Sequence, residues 1–186
     1  MEGFEVDGFV VQHWFDVWGR VVTALYEGRA REARTRWSEA RPRVVASLLL
    51  RTQFTRVHSF ALEAITAAAV VASPEARRHE RALALAWGRT AVRAMRAEDR
   101  GWAWALADAV EACLESAHGE RERALTLLSR AAPQLGAHGL GLYEALAQHL
   151  LGARDPSAAA ASAAWAEREG VVRVDRLARA LLPGFS

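Results

Sequence analysis

Lysine and asparagine are missing from all 186 residues, isoleucine occurs once (Ile65) and cysteine once (Cys113). The missing lysine removes a Walker A loop, the ATP-anchoring lysine of a protein kinase, a pyridoxal Schiff base and any lysine nucleophile from this chain. A lone cysteine forms neither an intramolecular disulfide nor a CxxC pair, which fits a reducing cytoplasm. No run of about 18 uninterrupted apolar residues occurs, and the best stretch, Phe60 to Ala72, is broken by Glu63. The first residues, Met1 to Asp7, are acidic where a signal peptide would be basic. A soluble cytoplasmic chain without a membrane segment is therefore expected. An excess of one charge is also lacking: 24 arginines face 22 acids for a net charge of +2. The arginines are interleaved with acids, as in Arg29 to Arg43 with Glu32 and Glu39 among them. Nucleic-acid binders concentrate positive charge on one face, so no nucleic-acid partner is expected.

Strand signals are nearly absent too, because β-branched residues are sparse and no Asn-Gly hairpin occurs, while apolar residues recur at three and four. The pattern predicts an all-α chain with helices at about 10–27, 30–41, 44–72, 75–97, 101–117, 120–135, 139–152, 156–169 and 173–182. Pro74 and Pro156 suit helix starts, with Ser73 and Asp155 as N-caps before them, and Gly28, Gly119, Gly152 and Gly170 punctuate helix ends. Residues 1–9 form an N-terminal extension and 10–186 a single helical domain. At 52% hydrophobic and 25% charged residues the composition supports one substantial core.

Two stretches share one spaced pattern, G-x4-A-x3-Φ-x2-A-x-P with Φ large and apolar: Gly28, Ala33, Trp37, Ala40, Pro42 and then Gly119, Ala124, Leu128, Ala131, Pro133. Gly lets one helix end in a left-handed cap, small Ala lets the next helix cross close by, the large residue fills the gap one turn later, and Pro closes the unit. Such repetition is the layout of a right-handed, tetratricopeptide-like array of stacked helical hairpins, here with a short C-terminal capping helix. In the longest helix the stripe Leu50, Phe54, Val57, Ala61, Ala64 and Ala68 marks the core face. The Ala-rich tract Ala158 to Ala164 predicts a closely packed helix.

Catalytic chemistry finds little support. None of the six histidines pairs at i, i+3 or i, i+4, and HExxH, a G-x-S-x-G elbow and a DFG triplet are absent. No metal site and no cofactor are expected. Cys113 has apolar neighbours and reads as a buried thiol. Seven tryptophans is a high number, and most belong in a helical core; Trp102 is the one expected to be partly exposed. Arg51 and His58 border one side of the apolar stripe of the long helix, Gln53 and Arg56 the other. Arg51, Gln53, Arg56 and His58 are thus the candidate partner-binding residues, suited to an acidic or phosphorylated protein segment.

With those residues in view, the chain resembles the C-terminal tetratricopeptide-like region of large bacterial serine/threonine protein kinases of the myxobacterial and planctomycete type. The likeness lies in Leu25-Tyr26-Glu27-Gly28, in Ser47 through Arg56, in Gly141-Leu142-Tyr143 with Leu151-Gly152, and in the ending Gly170-Val171 to Pro183-Gly184-Phe185. The chain departs from it at Glu63 and Ile65, at Val174 and at Gln148-His149-Leu150. The resemblance implies a non-catalytic interaction or sensory module with a kinase domain upstream. The alternative is a ligand-binding regulatory domain of a transcription activator or nucleotide cyclase.

Overall fold

Gly28 and Gly119 occupy equivalent corners, each ending one helix in the left-handed region with φ of 78° and 102°, where a side chain would be strained. A computed structural model describes residues 8–185; the expected extension falls mainly on Met1–Asp7, outside the described residues. Nine α-helices lie among the described residues: α1 (Val11–Tyr26), α2 (Ala30–Ala46), α3 (Gln53–Ala72), α4 (Arg78–Arg96), α5 (Gly101–His118), α6 (Arg121–Ala137), α7 (Gly141–Leu151), α8 (Pro156–Glu169) and α9 (Val174–Leu181). No strand is present among them.

The helices pack in sequential pairs, α1 with α2, α3 with α4, α5 with α6 and α7 with α8. Each second helix also leans on the first helix of the next pair, and α3 lies against α5. Ala33 and Ala124 are wholly buried, as are Leu128 and Ala131 of the second repeat, and Trp37 of the first is nearly so. Small and large side chains thus meet where successive helices cross, and the apolar surface they remove from water drives the packing. Helix α9 runs back to touch both α1 and α7. Beyond it the tail docks on α5: Ser116 Oγ donates to the Gly184 carbonyl at 2.9 Å. Gly184 has φ of 103°, and a Cβ there would come within 2.5 Å of the Cys113 carbonyl oxygen, so only glycine fits.

Several boundaries differ from the sequence pattern. Pro42 and Pro133 lie inside α2 and α6 rather than closing them. Each removes a hydrogen bond to the carbonyl four residues back, at Ser38 and Ser129. All four residues are exposed, so water can take up the freed carbonyls. The expected helix 44–72 is split by a 3-10 turn over Leu48–Arg51. There Ser47 Oγ donates to the Val44 carbonyl at 2.7 Å and accepts from Leu49 N–H, a local competitor to helix geometry. The stripe accordingly begins at Val57, and Phe54 is half-exposed. Helix α4 starts at Arg78, where Glu80 accepts the Arg77 N–H at 2.7 Å, and Ser73 ends α3 instead of capping α4. Asp155 does cap α8, accepting from Ser157 and Ala158. Of α8 only the stripe Ala158, Ser162, Ala166 is buried, so its alanines pack on one side alone. Helix α3 alone among the described helices is long and apolar enough to cross a membrane, and it is mostly buried beneath its neighbours.

Candidate functional site

Helices α2 and α4 both lean on α3 without closing over it, and a cavity of about 470 Å³ opens between them with α3 as its floor. Its walls are apolar, with Trp37 and Val44 from α2, Phe60 from α3 and Trp87 and Ala91 from α4. Into this wall α3 sets Glu63, a nearly buried carboxylate. Such a charge is tolerated only when paired and hydrogen-bonded. Three donors from α2 do this: Arg34 Nη1 reaches Oε1 at 2.7 Å, the Trp37 indole N–H donates to Oε2, and Arg41 Nε approaches Oε2 at 3.4 Å. Their spacing of three, four and seven residues puts all three on one face of α2. The Arg34 guanidinium also lies over the Trp87 ring, 4.5 Å from its centroid, a cation–π contact. Its Nε is buried and has no hydrogen-bond partner among the described residues. Two guanidiniums facing one carboxylate leave the cavity wall net positive.

The corresponding gap between α4 and α6 is filled by charge. There Asp108, Glu111 and Glu115 of α5 meet Arg89 and Arg96 from α4 and Arg123 and Arg130 from α6. The gap between α6 and α8 holds a second cavity of about 520 Å³, but its lining lacks aromatic residues and includes Glu122, Glu144, Gln148 and Arg154. Aromatic walls and a buried ion cluster therefore coincide at the α2–α4 cleft. Gly88 contributes to that difference, because it lets α4 settle against Leu114 and Ala67 beside Trp87.

The four residues singled out from sequence do not form one free surface. Arg51 is exposed on the 3-10 turn, off helix α3. Gln53 and Arg56 converge on Glu98: Gln53 Nε2 donates at 3.1 Å, while Arg56 Nε and Nη2 donate at 2.5 and 2.7 Å. Arg56 holds the Glu98 carboxyl below its ordinary range, and its own guanidinium is shifted upward in return. His58 is buried, with Nδ1–H donating to the Phe54 carbonyl at 2.9 Å and its ring stacked on Trp102 at 5.6 Å. Burial lowers its pKa from the ordinary 6.5. Trp102 is therefore a stacking partner, and Trp104 is the more exposed of the two, its indole N–H on the Arg96 carbonyl. Sequence reasoning missed Arg34, Arg41, Glu63 and Trp87. The available signal was Glu63 itself, the one charge inside the apolar run from Phe60 to Ala72.

Two reactive side chains, Cys113 and Tyr143, lie elsewhere and are shielded. Cys113 is fully buried, its thiol pushed up by burial and its S–H turned to the Ala109 carbonyl at 3.2 Å, the environment of an inert thiol. Tyr143 is likewise pushed up to about 12. Among the described residues no group of histidine, cysteine and acidic side chains could hold a metal ion. No family model, curated protein or solved structure matches the chain. The binding geometry of the α2–α4 cleft is accordingly the main guide to function.

Proposed function

We propose that the chain is a non-catalytic sensory or protein-interaction module, a right-handed tetratricopeptide-like array closed by α9, attached to a bacterial serine/threonine protein kinase and working in the cytoplasm. The observation that carries this is the cleft between α2 and α4, where an apolar hollow and a buried ion cluster sit between successive helix pairs. Ligand sites combine apolar walls with a few oriented polar groups in this way. The cleft offers guanidiniums and indoles, which recognise and bind, and of its lining hydroxyls Ser59 is held by the Trp14 indole and Thr90 by the Ala86 carbonyl rather than by Glu63. Partners of this module are proteins or acidic segments, with no nucleic acid or cofactor. The small-molecule size of the cleft, about 470 Å³, also favours a second reading, a ligand-binding regulatory domain of a transcription activator or nucleotide cyclase.

Calorimetry of the purified 186-residue chain with millimolar ATP and magnesium tests the non-catalytic reading: no saturable heat is expected, and magnesium-dependent binding would overturn it. The native reading frame separates the two parents. A kinase catalytic domain encoded upstream supports the first, and a DNA-binding or cyclase domain the second.

A further inference from the structure

We propose that the α2–α4 cleft is a binding site for a small carboxylic acid with an apolar body. This deepens the module reading and rests on it. Three observations select the ligand's chemistry. The charge balance comes first: Arg34 and Arg41 share the single carboxylate of Glu63, one on each oxygen, so the cleft carries a surplus positive charge. The second is donor capacity. Arg41 approaches Glu63 at 3.4 Å through Nε, and its half-exposed side chain stands at the rim of the same cavity, while Arg34 lies mostly buried behind it with its Nε–H out of a ligand's reach. A planar carboxylate is the natural acceptor for such N–H groups. The third is the wall: Val44, Leu50, Phe60, Ala91 and Ala94 offer an apolar hollow that an inorganic anion would leave unused.

A cationic ligand is disfavoured by the same geometry. Glu63 is already engaged by two guanidiniums and an indole, and the Trp87 face that would receive a cation is covered by Arg34. The volume, about 470 Å³, lies within the range of small-molecule sites. In the bound state the ligand carboxylate accepts from Arg41 at the rim, and the buried Arg34 adds its positive charge from behind. Its body lies along Phe60 and Leu50, and the half-exposed Trp87 and Val45 form the mouth.

Calorimetry with four probes tests this on the whole chain: 4-phenylbutanoate, its neutral amide, the matching 4-phenylbutylamine, and acetate. The phenylbutanoate should bind saturably, the amide at least about tenfold more weakly, since a charge-assisted contact contributes about 1.5–3 kcal/mol. The amine and acetate should give no saturable heat. Arg41→Gln should abolish the preference for acid over amide while leaving amide binding unchanged. Should Arg41→Gln shift the unfolding midpoint, Ala94→Leu serves instead, filling the hollow and weakening phenylbutanoate and amide alike. Equal binding of acid and amide, preference for the amine, acetate matching phenylbutanoate, or no heat from any probe would each overturn the proposal. None of these outcomes touches the module reading, which falls to magnesium-dependent ATP binding instead.

Discussion

Replacing Gly19 and Gly88 by alanine, one at a time, gives two changes of identical chemistry with opposite expected signs. Both glycines lie inside helices, α1 and α4. Alanine in a helix interior is worth about 1 kcal/mol over glycine. At Gly19 an added Cβ meets nothing within 4 Å, so that gain should appear almost whole. At Gly88 the same Cβ would stand 2.6 Å from Leu114 Cδ2 and 3.1 Å from Ala67 Cβ. Leu114 is completely buried, so its side chain must repack within the core, and Ala67 can yield only if α3 itself moves. Overpacking of this kind costs about 1–3 kcal/mol, so Gly88→Ala should end between neutral and about 2 kcal/mol less stable. The two variants should then differ by about 1–3 kcal/mol. Urea denaturation followed by far-ultraviolet circular dichroism measures both, with the slope unchanged if only the native packing is altered. In a chain of this length each kcal/mol corresponds to about 2–4 °C in Tm. Equal stabilisation of the two would refute the crossing of α4 over α3 and α5 at Gly88, and with it the position of Trp87 at the cleft.

Arg56→Ala should cost about 1–3 kcal/mol because it leaves the mostly buried Glu98 with Gln53 alone, whereas Arg51→Ala should stay within about half a kcal/mol as exposed positions do; equal effects in denaturant curves would refute this division. His58→Phe should flatten the pH dependence of stability. As pH falls through 6.5 the unfolded imidazole takes up a proton that the buried one refuses, so wild-type stability is full above 6.5 and declines below it. Unfolding midpoints that fall equally in both proteins between pH 7 and 5 would contradict it.

The fold was legible wherever one residue type has one mechanical use. Gly28 and Gly119 could be assigned to helix ends because only glycine enters the left-handed region without strain. Asp155 before Pro156 marked a helix start because an N-cap oxygen and a ring with fixed φ serve the same turn. Proline was harder. Pro42 and Pro133 are compatible with a helix end or with an exposed helix interior, and only burial decides between them. The 3-10 turn at Leu48–Arg51 was hidden for a related reason: Leu50 keeps helical spacing with Phe54 and Val57, while the break comes from Ser47 bonding its own neighbourhood.

The site was less legible, since its parts come from separate helices and charge pairing is a property of three dimensions. Arg34 and Arg36 share nearly one sequence surrounding with Arg41 and Arg43, yet Arg34 and Arg41 enclose Glu63 from a neighbouring helix while Arg36 pairs with Glu32 on its own helix. No periodicity distinguishes them. An acid within an apolar run is different, because burying a carboxylate is expensive enough that partners must be brought to it. Glu63 in Phe60 to Ala72 is therefore the one sequence signal of cations brought in from other helices, a signal that went unused in the sequence reading. What it did not reveal was their number. One guanidinium would have made a closed structural pair; the second, Arg41, tips the cluster to a net positive charge beside an apolar hollow. That single excess charge turns a packing solution into a surface able to select an acid over an amide.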